Sequence, residues 1–311
     1  MDGFAAKLAA VTGGGSGIGR ELVRQLAGEG CSVAACDWNT AAIANTAAMA
    51  QAGAPDGVRV SSHACDVSDE GQVQRFRDEL LRAHAADHVD LVFSNAGIGG
   101  GASFLESTRE EWERTFAVDW WGTYYVARTF LPLLIASGDG VLVNTSSVNG
   151  FWASLGPGMP NSAYATAKFA VKGFTEALIE DLRTNAPQVR VAVVMPGHVG
   201  TDILANTRRA HGTPEPEDAS AVRVETAFRE KAPLTAAAAA TIILDGVRSG
   251  AWRILVGTDA KALDAAVRAR PEAAYDYAKL AVAAAKTAAE AQASNWFASI
   301  RSLVDSLTHS D

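Results

Sequence analysis

Short apolar runs alternate with longer stretches of helical periodicity along most of the chain. Candidate strands fall at 7–12, 31–36, 58–65, 89–94, 140–146, 189–195 and 252–256, several of them nearly continuous in Val, Ala, Leu and Ile, as strands covered on both faces require. Between them apolar positions recur every three or four residues. In 17–29, Ile18, Leu22, Val23 and Leu26 share one face, and Gly28 with Gly30 ends the helix. Further helices are predicted over 40–52, 69–85, 109–136, 162–185 and 234–248. This alternation predicts βαβ units, and so an α/β fold: a doubly wound parallel sheet of about seven strands with helices on both faces.

Two regions break the rhythm. Residues 199–233 carry charge, small residues and Pro214, Pro216 and Pro233; the stretch is too long for a simple connection and reads as a lid over a site at a strand end. Residues 258–311 are Ala-rich, with a helical pattern after Pro271 in which Phe297, Ile300, Val304 and Leu307 form one stripe. The division expected is one domain over 1–257 and a helical C-terminal extension over 258–311 that packs on the core or on another subunit.

The 311 residues are 48% hydrophobic and 20% charged, ordinary values for a globular chain. Lys and Arg number 27 against 35 Asp and Glu, a net charge of −8, which disfavours nucleic acid or an anionic membrane as partner. No apolar run is long enough for a membrane span, and Met1 to Leu8 does not read as a signal peptide. Cys31, Cys36 and Cys65 lack metal-site spacing and read as reduced core thiols of a cytoplasmic protein. His84 and His88 stand four apart without a third ligand, so no metal is expected.

The segment Val11-Thr12-Gly13-Gly14-Gly15-Ser16-Gly17-Ile18-Gly19 follows the first strand and opens the first helix. Glycines there permit a tight turn and let backbone N–H groups approach a pyrophosphate, which the helix N-terminus also attracts. Asp37, 18 positions beyond Gly19, ends the second strand. Its carboxylate suits an adenosine ribose and repels a 2′-phosphate, so NAD is favoured over NADP; Arg20 is the one nearby cation that leaves room for NADP.

The spacing Thr12-Gly13-x3-Gly17-x-Gly19 resembles the short-chain dehydrogenase/reductase family in its core, non-extended branch. The resemblance runs from about residue 5 to 257 through Asp66-Val67, Asn95-Ala96-Gly97, Asn144-Thr145-Ser146-Ser147, Tyr164-x3-Lys168 and Pro196-Gly197-x-Val199-x-Thr201. It implies a Rossmann-type sheet, nicotinamide-dependent chemistry at a carbonyl or alcohol carbon, and a homodimer or homotetramer. It further implies coenzyme contacts from Gly13, Ser16, Gly17, Ile18, Gly19, Asp37, the adenine-contacting pair Asp66 and Val67, Asn95, Ala96, Gly97, Pro196, Gly197, Val199 and Thr201, the last facing the carboxamide.

Tyr164 and Lys168 lie four apart in a helical segment and share one face. A free phenol, with a pKa of ~10, exchanges protons poorly near neutrality; the Lys168 ammonium and a bound nicotinamide ring would lower it, making Tyr164 the expected general acid/base. Lys168 would also hold the nicotinamide ribose. Ser147 is expected to polarise the substrate oxygen, with Ser146 as competitor; Val148 aligns Ser147 with the family's catalytic serine. In Val118-Asp119-Trp120-Trp121-Gly122 an Asp replaces the family's Asn. The family holds a relay water through that main-chain carbonyl, which Asp119 could still do, although its side chain donates only when protonated; altered pH dependence is expected.

The segment between Ser147 and Tyr164 brings Phe151, Trp152, Leu155 and Met159 and no Lys or Arg, which suits a medium-sized apolar alcohol or ketone. His198 is a further pocket candidate, and Phe104 with Gly99-Gly100-Gly101 is expected to complete the wall. Trp120 and Trp121 are read as core or subunit contact. The competing functions are a coenzyme sensor that has lost catalysis, and a lyase or dehalogenase on the same scaffold that needs no nicotinamide.

Overall fold

The computed structural model describes residues 3–100, 103–154, 159, 161–214 and 219–276. Seven parallel strands form one sheet: β1 (Leu8–Thr12), β2 (Ser32–Asp37), β3 (Val60–Ala64), β4 (Leu91–Ser94), β5 (Gly140–Thr145), β6 (Val189–Pro196) and, after the short β7 (Val199–Gly200) and β8 (Leu234–Thr235), β9 (Arg253–Val256). Their spatial order is β3-β2-β1-β4-β5-β6-β9. The chain winds outward from β1 in one direction and from β4 in the other, so a crevice opens at the C-terminal ends of these two strands. This is the Rossmann-type sheet expected from the sequence.

Side chains alternate across each strand. Val11, Phe93, Val143 and Val194 enter one apolar layer with Leu22, Leu26, Ile43, Ile243 and Leu244. Those residues belong to α1 (Gly17–Gly28), α2 (Thr40–Ala52) and α9 (Ala236–Arg248). On the other face Ala10, Val92, Leu142 and Val191 meet Phe76, Leu80, Val126, Phe130 and Leu134, from α3 (Glu70–His84) and α5 (Gly122–Ala136), with α6 (Ser162–Asn185) beside them. Phe76 and Phe130 are almost wholly buried, and each contributes about 2–3 kcal/mol of transfer free energy.

Helix starts follow the side chains at hand. Asn39 and Asp69 accept from Ala42 N and Gln72 N, and Thr108 with Glu111 closes a capping box on α4 (Arg109–Phe116). Between α4 and α5 the helix widens into a π turn over Ala117–Trp121, where Gly122 N donates to Ala117 O.

Within 199–233, the described residues 199–214 and 219–233 carry regular structure. They hold β7, α7 (Ile203–Ala210) and α8 (Ala219–Glu230). Val199 and Gly200 pair with Leu234 and Thr235, so the next helix begins at Ala236 rather than 234. Past β9, the helix α10 (Thr258–Ala269) comes before Pro271 and a short 3-10 turn covers Pro271–Ala273; the helical pattern expected after Pro271 lies mostly outside the described residues. Phe297, Ile300, Val304 and Leu307 lie outside the described residues.

Candidate active site

A cavity of about 570 Å³ fills the crevice, running from Asp37 past the glycine loop to Ser147, Tyr164 and the helices of 199–233. Its volume is that of a small-molecule or cofactor site. The loop after β1 reaches it because two glycines permit the path. Gly13 has φ +66°, and a Cβ there would stand 2.7 Å from Ala96 Cα; at Gly19 a Cβ would overlap the Gly13 carbonyl. Thr12 Oγ1 accepts from Asn95 N and Ala96 N at 3.0 and 3.1 Å, tying this loop to the end of β4. Ser16, at the N-cap of α1, makes no side-chain cap, and the first turn holds no acidic residue. Unpaired N–H groups and the positive helix end therefore face the cavity, as a diphosphate requires.

At the end of β2, Asp37 accepts from Gly15 N at 3.0 Å and Asn39 N at 2.9 Å. Burial pushes its carboxyl up, opposed by these bonds and by Arg20. Arg20 donates to Gly15 O at 2.6 Å and to Thr46 Oγ1 at 3.3 Å, so its charge is engaged behind the loop. Asp66 and Val67 line the same end, and Asp66 is held by Ser68 and by Arg114 Nη2 at 2.8 Å. Burial raises the Asp66 carboxyl, but Ser68 and Arg114 outweigh it and hold it below the usual range. Gly13, Ser16, Gly17, Ile18, Asn95, Ala96, Gly97, Pro196, Gly197, Val199 and Thr201 line the cavity too. Gly19 packs behind the loop.

At the other end Ser147, Tyr164 and Lys168 meet. Ser147 Oγ accepts from Asn149 N at 3.1 Å, which leaves its own proton available, and its hydroxyl pulls the Tyr164 phenol down. Ser146 instead donates to Lys168 O at 2.7 Å and has no proton left for a substrate. Lys168 Nζ sits 2.9 Å from Asp119 Oδ1, 3.2 Å from Thr145 O and 5.4 Å from the Tyr164 ring centre.

Asp119 brings its side chain into the site as well. Its main-chain carbonyl accepts from Thr123 Oγ1 at 2.9 Å, while its fully buried side chain pairs directly with Lys168. Burial pushes this carboxyl up to about 6 against the pull of Lys168. Burial presses Lys168 downward, but Asp119 and Tyr164 together hold it above its usual value. Tyr164 differs from the expectation: burial raises it above the ordinary phenol, Lys168 pulls it down, and Asp119 raises it again. Lys168 thus divides its charge between two acids.

Of the expected substrate residues, His198 and Met159 line the cavity. Trp152 and Phe151 do not. Trp152 is 2% exposed, packed with Val148, Leu263 and Ala274, and its indole N–H donates to Ala274 O at 2.7 Å. Phe151 packs against the same cluster. An indole with a carbonyl to meet gains more from this apolar layer than from an open pocket. Phe104 is 70% exposed and away from the cavity; Gly99 and Gly100 do line it. Leu155 and Gly101 lie outside the described residues.

The wall comes instead from the 199–233 region: Ile203, Leu204, Asn206, Ala210, Val224 and Phe228. Helix α7 is fastened by Thr207 Oγ1, which accepts from Gly99 N at 2.6 Å, and by Asn206 Nδ2, which donates to Ser16 Oγ at 3.0 Å. His84 and His88 do not converge. His84 meets Ser61 Oγ and His88 meets Asp87; no metal-binding group of three ligands occurs among the described residues.

The sequence matches the short chain dehydrogenase family model over residues 7–212. The chain belongs to this family. It is 38% identical over 268 residues to the Mycobacterium tuberculosis protein named "Putative oxidoreductase SadH", covering 86% of this chain and 92% of that one. It is 35% identical over 199 residues to the (3R)-3-hydroxyacyl-CoA dehydrogenase of Mus musculus, covering 62% and 74% of the two chains. Among solved structures, a short-chain dehydrogenase/reductase from Burkholderia phymatum in complex with NAD superposes with a TM-score of 0.76 at 30% identity, over 88% of this chain and 95% of that one. The protein is accordingly an oxidoreductase acting on CH–OH donors with a nicotinamide coenzyme. No helix among the described residues is long and apolar enough to cross a membrane.

One positioning residue of this dehydrogenase was not read from the sequence. Asp259, opening α10, accepts from His198 N at 2.6 Å and braces the Pro196-Gly197-His198 turn. Burial raises its carboxyl while His198 N–H opposes that. Asp259→Ala leaves that N–H unpaired; we expect a loss of about 1–2 kcal/mol in urea unfolding and a KM for the coenzyme raised several-fold, with unchanged values in both refuting the brace.

Proposed function

We propose that the protein interconverts a secondary alcohol and the corresponding ketone, of mainly apolar character, using NAD(H). The observation that carries this is the meeting of Ser147, Tyr164 and Lys168 at one end of a cavity whose other end is Asp37. In oxidation the Tyr164 oxygen takes the hydroxyl proton and in reduction returns it. Ser147 donates to the substrate oxygen, stabilising the charge that develops there. Lys168 favours the phenolate, and Asp119 restrains it by holding the ammonium. When bound, the coenzyme supplies the hydride acceptor or donor. The glycine loop with Ser16, Gly17 and Ile18 would hold its diphosphate, and Asp37 the adenosine ribose. Asp66 and Val67 would take the adenine, Asn95 to Gly97 and Lys168 the nicotinamide side, and Pro196, Gly197, Val199 and Thr201 the carboxamide. His198 and the apolar 199–233 wall would face the substrate.

NAD rather than NADP is supported by the Asp37 carboxylate and by Arg20, which is bonded to Gly15 O instead of facing a 2′-phosphate. We expect kcat/KM to favour NAD⁺ over NADP⁺ in the wild type. Asp37→Ala is expected to raise KM for NAD⁺ about tenfold and to narrow that preference by more than tenfold; a wild type that prefers NADP⁺ would defeat the assignment. The exposed face carrying Trp121 (42%), with Tyr124 and Tyr125 packed beside it, supports a homodimer or homotetramer. The three free, buried cysteines support a reducing, cytoplasmic setting.

The direct test supplies secondary alcohols with NAD⁺ and follows NADH absorbance. Turnover is expected. NADH binding without turnover of any alcohol or ketone would instead leave a coenzyme-binding sensor.

A further inference from the structure

Asn161 stands at the N-cap of α6, three residues before Tyr164. An Asn there ordinarily turns its carbonyl onto the helix's own N–H groups, but this one makes no such bond. The residue lines the cavity and is only 6% exposed. A relay fixes which atom it presents. Asn149 Nδ2 donates to Trp152 O at 2.9 Å and Ser154 O at 2.8 Å, so Asn149 can offer its neighbour only an acceptor. Asn161 Nδ2 faces that acceptor, Asn149 Oδ1, at 3.5 Å. Asn161 Oδ1 is thereby left over, buried and without a partner among the described residues. It lies beside Gly100 and the start of Tyr164: a Cβ on Gly100 would stand 3.6 Å from it and 3.4 Å from Tyr164 N.

A buried carbonyl oxygen without a donor is costly, and most such atoms in proteins are satisfied. The donor missing here is one the cavity's occupant can bring. Lys168 already supplies a positive charge to this end, and Ile98, Leu204 and Phe228 add apolar lining to the same cavity, so a neutral donor fits and a second cation does not. We propose that Asn161 is a specificity-determining residue whose Oδ1 accepts a hydrogen bond from a second hydroxyl of the substrate, making short-chain diols and the matching hydroxy ketones the preferred class. This rests on the dehydrogenase reading above and narrows it.

The test compares 2-hexanol with 2,3-, 2,4- and 2,5-hexanediol, each oxidised with NAD⁺, in the wild type and in Asn161→Leu. At least one diol is expected to exceed 2-hexanol about tenfold in kcat/KM in the wild type, one hydrogen bond's worth of discrimination. In Asn161→Leu that ratio is expected to fall to about one. Because each enzyme is compared with itself, a smaller folded fraction lowers both rates alike and leaves the ratio untouched. Equal kcat/KM for all four alcohols in the wild type, or a diol preference that survives Asn161→Leu, would overturn the Asn161 assignment alone. If wild-type protein that binds NADH oxidises none of the four, nor any other secondary alcohol, the dehydrogenase reading fails and this one with it.

Discussion

Tyr164→Phe is expected to lower kcat for alcohol oxidation by about a thousandfold or more while NADH binding remains measurable. The magnitude follows from what positioned acid–base groups contribute, about 10²–10⁴. Phenylalanine keeps the ring that lies beside Lys168 but removes the oxygen that takes the proton. Ser147 does not replace it, because an aliphatic hydroxyl is far too weak an acid to exist as the base. Steady-state rates with NAD⁺, set beside a fluorescence titration with NADH, separate the two effects. A variant that binds NADH and keeps a tenth or more of wild-type turnover would remove Tyr164 from the chemistry.

The second large effect belongs to Asp119→Asn. The Asp119 carboxylate opposes a phenolate on Tyr164 in two ways. Its own charge repels the phenolate, and its ion pair with Lys168 at 2.9 Å draws the ammonium's field away. Asparagine removes both, so the Tyr164 pKa falls. Oxidation needs the phenolate, and its rising limb in the pH–rate profile should move to lower pH by about one unit. Reduction needs the phenol, and its falling limb should move the same way. Asp119 itself titrates at about 6; below that pH the wild type carries a neutral carboxyl and the two profiles should converge. Profiles that superimpose across the whole range would show that Asp119 does not tune the phenol.

Much of this arrangement is legible in the sequence where the signal is local. The helix over 17–28 declares itself through one apolar face and a terminal glycine. Strands such as Leu91–Ser94 show as continuous apolar runs because both their faces are covered. Residues 199–200 and 234–235 give no such signal. A two-residue strand carries no period, and its pairing joins positions far apart in the chain. The errors have a common cause. Phe151 and Trp152 sit in an irregular segment whose sequence does not say which side faces the cavity; the answer depends on Leu263 and Ala274. Phe104 is close to Gly100 in sequence, yet it faces solvent.

The residues missed at the site share the same limit. Asn206, Leu204 and Phe228 come from a region whose sequence announces only length and prolines. Their contribution depends on how α7 is fastened to Gly99 and Ser16. Arg114 was invisible as a partner of Asp66 because their contact spans different elements. Asp259 did carry a faint signal, an acid one residue into a helical pattern after Gly257. For Asp119, the sequence showed an unusual residue type at a recognisable place. Only the three-dimensional arrangement shows that its side chain meets Lys168 directly.

The wide turn at Ala117–Trp121 bears on how such a site can be inherited. Arg114, before it, reaches Asp66, and Asp119, within it, reaches Lys168. Each residue of an α-helix turns the chain by about 100°, so losing a single codon here would restore a regular helix and swing one half against the other. One of the two ion pairs would then have to part, and the coenzyme end and the proton-transfer end of the pocket would fall out of phase.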